Sequence, residues 1–196
     1  MGRVSKAEQE RHREEILDAA ARQVKELGLD GVTIPGVMSA VGLTRGGFYG
    51  HFSSKADLEA RAVERAFDVQ SRTFATVARH HPGDHDAALG EIVDFYLSDV
   101  HRRQLDRSCP IAALSADVAR EPDDSPARTA YAAGLTENLS HLTGLAEPEG
   151  VVPSPSQRAD TLVTMATAVG AIIIARAADG HPIADEILAA VKVALR

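Results

Sequence analysis

The segment Thr44-Arg45-Gly46-Gly47-Phe48-Tyr49-Gly50-His51-Phe52-Ser53-Ser54-Lys55 gathers hydrogen-bond donors and bare backbone into a short stretch. Arginine can hold guanine O6 and N7 through two parallel hydrogen bonds, so Arg45 is the side chain suited to reading a base; a simple phosphate contact is its rival use. Tyr49, His51 and Lys55 can each donate to a phosphate oxygen, and ordinary surface polarity is the plain alternative. Thr44 stands where a short helix would begin. Its hydroxyl can cap that helix and its backbone N–H can meet a phosphate. Gly46, Gly47 and Gly50 each cost about 0.8–1 kcal/mol in a helix relative to alanine, which points to something that must approach the backbone closely. A nucleic acid fits. With so few side chains on so short an element, DNA shape or water-mediated contacts would supply part of any specificity. Phe48 and Phe52, four apart, share one helix face with Val41 and Leu43 behind them and read as core.

Elsewhere the chemistry is thinner. Cys109 is the one cysteine of the chain, and a nucleophile served by His101 is the enzymatic reading. No glycine-rich phosphate loop or zinc-protease motif accompanies the pair, so the chain is expected not to be an enzyme. Alternatively Cys109 senses oxidants or electrophiles, since it precedes a helix at Pro110 and has Arg102, Arg103 and Arg107 close in sequence; both features lower a thiol pKa. A small buried hydrophobe is the plain reading. His80, His81, Asp84, His85 and Asp86 surround Pro82-Gly83 in an expected exposed turn, with no cysteine beside them, so neither a metal nor another cofactor is expected.

These residues need elements to hold them, and the periodicity is helical throughout, with no convincing alternating strand. Ile16, Leu17, Ala20, Ala21, Val24 and Leu27 recur on one face, and Gly28 follows as a stop, giving a first helix over about 7–27. Pro35 opens a short second helix that ends at Gly42, Thr44 opens a third reaching Phe52, and Ser53 or Ser54 caps a fourth running to about Arg79. Leu89 to Val100 gives a fifth amphipathic helix, Pro110 a sixth ending near Glu121, and 125–143 a seventh. Residues 144–155, rich in proline and glycine, form the longest break before two closing helices at about 156–178 and 183–195. The apolar stretch Leu162–Ala175 is shorter than the ~20 residues of a membrane span and reads as a buried helix.

Of the 196 residues, 44% are hydrophobic and 25% charged, which excludes disorder and supplies a core. The net charge of −7 is uneven: residues 1–65 carry 10 basic and 10 acidic groups, residues 66–196 carry 11 and 18. A nucleic-acid surface therefore belongs to the first third. The single cysteine excludes an internal disulfide, and residues 1–15 are polar throughout, so a cytoplasmic protein is expected.

Two of these short helices, joined by a tight turn at Gly42-Leu43, make a helix-turn-helix. Thr33-Ile34, Val41-Gly42-Leu43-Thr44, Phe48-Tyr49-Gly50-His51-Phe52-Ser53-Ser54-Lys55 and Leu58 together resemble the signature of the TetR family of transcriptional regulators, over about residues 10–60. Pro35-Gly36 departs from its commonest pattern, which has an acidic residue and an isoleucine there. The resemblance implies an all-α fold of about nine helices, with a DNA-binding domain at 1–54 and a ligand-binding and dimerisation domain at 55–196. It implies operator DNA held by Thr33, Thr44, Arg45, Gly46, Gly47, Tyr49, His51 and Lys55, and a repressor released by a small molecule. The last two helices, with the small stripe Ala168, Ala171, Ala175 and Ala178, would pair with a second copy; completing the monomer's own core is the alternative. A cavity would lie among the fourth to eighth helices, where Phe67, Phe74, Phe95, Tyr96, His101, Cys109, Leu114, Tyr131 and Met165 suit an apolar lining with a few polar anchors. An interaction protein that no longer binds DNA is a further reading, opposed by the intact Tyr49, His51 and Lys55.

Overall fold

The computed structural model describes residues 5–147 and 150–196; residues 1–4 of the expected head and Pro148 of the expected break lie outside them. Among the described residues there are nine α-helices, one 3-10 helix and no strand. The first helix, α1 (Lys6–Gly31), is opened by a reciprocal cap in which the Glu8 amide donates to Ser5 Oγ and the Ser5 amide to Glu8 Oε2. Its continuous part ends at Gly28, whose φ of 75° and ψ of 174° break the helix where the sequence placed its stop. Then come α2 (Ile34–Ala40), the 3-10 helix Arg45–Gly50, α3 (Lys55–His80), α4 (His85–Tyr96), α5 (Asp99–Arg103), α6 (Pro110–Val118), α7 (Pro126–Thr143), α8 (Pro155–Ala177) and α9 (Pro182–Ala194). Proline stands in the first turn of α2, α6, α7, α8 and α9. There its fixed φ suits the helix and its missing N–H leaves nothing unpaired, so these starts are written into the sequence.

The largest apolar cluster runs from the head into the body. Ile16, Ala20 and Val24 of α1 meet Val37, Met38, Phe48 and Phe52 on one side and Leu58, Val63 and Phe67 of α3 on the other, and the same cluster reaches Ile111 and Leu114 of α6. The head is thus continuous with the body rather than tethered to it. α3 and α7 cross closely at Gly134, where a Cβ would sit 2.3 Å from the Phe67 ring. A second cluster joins Val93 and Leu97 to Ala168, Ala171, Ile172 and Ala175 of α8 and Ala184 and Leu188 of α9.

Four expectations are corrected. The third helix is a 3-10 turn, closed by Gly47 N–H to Thr44 C=O at 3.0 Å, and Thr44 makes no side-chain cap. Three glycines in six residues give it too little helix propensity to wind further. The expected fifth helix stops at Tyr96, because Ser98 accepts from the His101 amide at 3.2 Å and starts α5 afresh; Val100 then turns out to solvent. The helix containing Leu162–Ala175 is not buried in the single chain: Val163 is 64% and Ile174 55% exposed, with Leu162 and Ile173 also exposed. At 23 residues it is also long and apolar enough to cross a bilayer by length and composition. Finally, Ala168, Ala171 and Ala175 face the chain's own second cluster and are covered there, so this stripe completes the monomer.

Candidate nucleic-acid interface and the cavity behind it

Phe48 is fully buried and Phe52 nearly so, their rings stacked at 5.7 Å, and this anchor turns the opposite face of the short helix outward. Thr44, Arg45, Gly46, Gly47 and Tyr49 are exposed, Tyr49 at 68%, with its ring edge resting on Phe48 at 5.1 Å. The turn before it depends on Gly42, whose φ of 72° places the Leu43 amide on Met38 C=O at 2.9 Å. Thr33 caps α2, accepting from the Gly36 amide at 3.1 Å. Ser54 caps α3, accepting from the Asp57 amide at 3.0 Å, while Asp57 accepts from the Ser53 amide and hydroxyl. The Ser53 amide, above all, holds the Asp57 carboxyl below its ordinary pKa.

From behind, α1 clamps the element. Gln9 donates to Gly50 C=O at 3.0 Å, and Arg13 donates to His51 C=O while lying 4.7 Å over the Phe52 ring. His51 is half-buried, and burial, then His12 and Arg13, lowers its pKa. Arg45 makes no hydrogen bond or ion pair among the described residues, whereas Lys55 pairs with Glu59 at 2.9 Å. A Cβ at Gly46 or Gly50 would meet nothing within 4 Å, and at Gly47 only ordinary contact with Met38. Nothing among the described residues therefore demands these glycines. Gln9 and Arg13 were missed in the sequence, since on a polar helix face they carry no mark distinguishing them from solvated neighbours.

Two polar links add to the core that head and body share. Arg65 of α3 pairs with Glu14 and Asp18 of α1, and the Leu29 amide donates to Asp117 Oδ2 of α6 at 3.0 Å.

Behind this joint lies a cavity of two chambers. The inner one, a narrow apolar space, is walled by Phe74, Ile92, Leu142, Met165 and Val169, with Asn138 and Tyr96 among its polar residues. The outer one, wider and open to solvent, is bordered by Lys25, Thr73, Phe95, His101, Arg107 and Glu91. Gln70, Phe74, Ile92, Tyr96 and Cys109 border both. Six of the nine expected cavity residues thus lie here: Phe74, Phe95, Tyr96, His101, Cys109 and Met165. Phe67, Leu114 and Tyr131 line neither chamber. Phe67 and Leu114 are buried in the first core cluster, and Tyr131 packs edge-on against Phe67 at 5.5 Å with its hydroxyl 2.7 Å from Ser115 Oγ. Lys25, Gln70, Arg107 and Asn138 were not anticipated. Each is a solitary polar residue on an amphipathic helix or in a loop, and only packing brings them together.

His101 is 2% exposed and both ring nitrogens are engaged: Nδ1 donates to Tyr96 C=O at 2.8 Å and Nε2 accepts from the Cys109 amide at 3.4 Å. Burial lowers its pKa to about 4, so it is a neutral structural residue with no nitrogen free to serve the thiol. Cys109 is itself buried, 3.4 Å from the Gln70 amide. Of the arginines near it in sequence, Arg102 is held by Asp99, Asp179 and Asp185 and Arg103 by Asp99. His80 and His81 flank Glu91, His85 donates to Leu145 C=O, and Asp84 caps α4. Among the described residues no group of three or more such side chains could hold a metal ion.

The chain is thus all-helical among its described residues, with an outward helix-turn-helix on a cavity-bearing body. Residues 16–62 match the bacterial regulatory proteins of the tetR family. The regulator AcrR of Shigella flexneri is 31% identical over 93 residues, 47% of this chain and 43% of AcrR; the chain thus spans less than half of that relative. A TetR transcriptional regulator from Chloroflexus aurantiacus superposes with a TM-score of 0.70 at 26% identity, covering 96% of this chain and 94% of the other. FadR of Bacillus subtilis, solved in complex with stearoyl-CoA, superposes with a TM-score of 0.64 at 15% identity over 93% and 96%. The tetR-family match thus falls on the helix-turn-helix and its flanks, the chain resembles TetR/AcrR transcriptional regulators along its length, and the relatives it matches are regulators.

Proposed function

We propose that this chain is a dimeric, ligand-responsive repressor that binds operator DNA through residues 1–54 and leaves it when a small molecule enters the 55–196 domain. The observation that carries this reading is the outward face Thr44–Gly47 with Tyr49: it is held from behind by Phe48, Phe52, Gln9 and Arg13, yet Arg45 has no partner and Gly46 and Gly47 no steric need for glycine among the described residues. Thr33, Thr44, Gly46 and Gly47 offer short side chains or bare backbone to phosphates, with Tyr49, His51 and Lys55 as side-chain donors and Arg45 as base reader. Helices α8 and α9 are the dimer surface, since Leu162, Val163, Ile173, Ile174, Ile183 and Val193 are exposed apolar groups there. The cavity is the effector site, in keeping with the acyl-CoA complex of FadR. The protein works in the cytoplasm, with its DNA.

The test is selection of bound duplexes from a random pool, followed by titration of the selected duplex at several salt concentrations. A selected palindromic site whose log affinity falls with log salt by about 0.9 per phosphate contacted is expected. Recovery of no preferred sequence overturns the reading.

A further inference from the structure

The walls of the inner chamber hold two buried polar atoms with no hydrogen-bond partner among the described residues, Tyr96 Oη and Asn138 Oδ1. The Asn138 amide is oriented by its other end: Nδ2 donates to Ser71 Oγ at 2.8 Å and to Phe67 C=O at 3.4 Å. A carbonyl only accepts, so the nitrogen belongs there and the oxygen is left as the unpartnered acceptor of a residue in the chamber wall. A buried acceptor left dry costs free energy that a donor on a ligand restores.

The outer chamber has a complementary imbalance. Its one carboxylate among the described residues, Glu91, is held by His81 at 2.7 Å and His80 at 3.4 Å. Lys25 and Arg107 also border it, and neither makes an ion pair among the described residues. Lys25 is half-buried, and burial lowers its pKa against the opposing pull of Asp106. Tyr96, in the wall of both chambers, keeps its proton because burial raises its pKa well above the ordinary value.

We propose that the cavity takes an amphipathic hydroxy acid: an apolar body in the inner chamber whose hydroxyl donates to Asn138 Oδ1, and a carboxylate at the chamber junction that accepts from Tyr96 Oη and faces Lys25 and Arg107. This rests on reading the cavity as the effector site. A cation would be repelled by Lys25 and Arg107, a plain hydrocarbon would leave Asn138 Oδ1 dry, and a fully polar solute would strip the water from its groups against apolar walls.

The test uses three probes with the full chain in calorimetry: 10-hydroxydecanoate, decanoate and 1,10-decanediol. The hydroxy acid is expected to bind about tenfold more tightly than either of the others, because a site built around a hydrogen bond rejects the analogue lacking it. Lys25→Gln is expected to weaken both acids about tenfold and to leave the diol within about twofold. Tyr96→Phe, which deletes only an unpartnered hydroxyl, should act in the same direction, and Asn138→Leu should erase the preference for hydroxy acid over decanoate. Since Asn138→Leu also removes two internal hydrogen bonds, the comparison of probes on the unaltered chain is the deciding measurement. Equal binding of diol and hydroxy acid, an unchanged acid affinity in Lys25→Gln, or no binding at probe concentrations on the order of 1 mM each overturns the proposal. If the hydroxy acid binds as expected without changing DNA affinity, the ligand class stands and the effector reading falls. If another compound releases DNA while the three probes bind alike, the reverse holds.

Discussion

Arg45 and Lys55 bring the same charge to one surface from different starting points. Lys55 must leave a partly buried ion pair with Glu59 one helical turn on, an exchange worth about 0.3–0.5 kcal/mol, while Arg45 has no partner to leave among the described residues. Arg45→Ala is expected to cost about 1–3 kcal/mol at one symmetric operator position and to flatten the base preference there. Lys55→Ala should weaken every sequence alike and reduce the salt slope by about one. Binding profiles over a set of operator variants decide it: if both substitutions lower affinity with unchanged preference, Arg45 contacts phosphate. His101 makes a different prediction, about acid stability. Its folded pKa of about 4, against an ordinary 6.5, means that the unfolded chain binds the extra proton between those values. Its contribution is therefore fully present above pH 6.5 and lost as pH falls towards 4, by up to roughly 3 kcal/mol. His51, also shifted down, adds in the same sense. Urea unfolding at pH 7.5 and pH 5 should show His101→Asn less stable at the higher pH but with a flatter pH slope; equal slopes in the two chains would sink the assignment.

Where the elements begin and end was legible wherever one residue decides it locally. Gly28 was readable as a stop for the first helix because glycine is the residue that leaves a helix at positive φ. The reason that only glycine will do was not readable, since it lies 89 residues away: a Cβ there would stand 2.3 Å from Asp117 Oδ2, the oxygen that accepts from the Leu29 amide. The split of the fifth helix at Ser98 was misread because the apolar spacing to Val100 fits a longer helix, and a serine cap competes with it only when the chain must turn. Asn138 and Lys25 had no local signal, being single polar residues whose meaning comes from neighbours on other helices. The Gly28–Asp117 contact links α1, which clamps the recognition element, to α6, whose first turn borders the cavity. Gly28→Ala is expected to destabilise by about 1–3 kcal/mol through its backbone conformation, with the clash on Asp117 added. Asp117→Ala should lose a charge-assisted bond worth about 1.5–3 kcal/mol. The double variant should cost less than the sum, because the clash disappears with the carboxylate while the backbone strain remains. Strict additivity in denaturation would show that the two positions do not touch.

At the scale of the whole molecule, the surface proposed for dimerisation stays on the helices expected from the sequence but shifts to other residues of them. The alanine stripe of α8 looked like the means for two chains to approach, but it is spent on α4 and α9 of its own chain. The side chains left over are large ones, among them Val163, Ile174 and Val193, on the two closing helices. Helical periodicity cannot tell which of two apolar faces meets the chain's own core, because both are apolar at the same spacing. A symmetric dimer uses one patch twice, so a charge placed there enters the interface twice and is buried without a partner each time. Ile174→Glu is therefore expected to yield a monomer that keeps its helical circular dichroism, since residue 174 is exposed in the single chain. Its operator binding should collapse to half-site strength, because one head alone reaches only one major-groove face. Ala171→Glu is the control, as that residue is 4% exposed within the chain's own core and its substitution should unfold the chain instead. Sedimentation and operator titration of the two variants separate the readings. A folded Ile174→Glu chain that remains dimeric and binds the full operator undiminished would move the dimer surface away from α8.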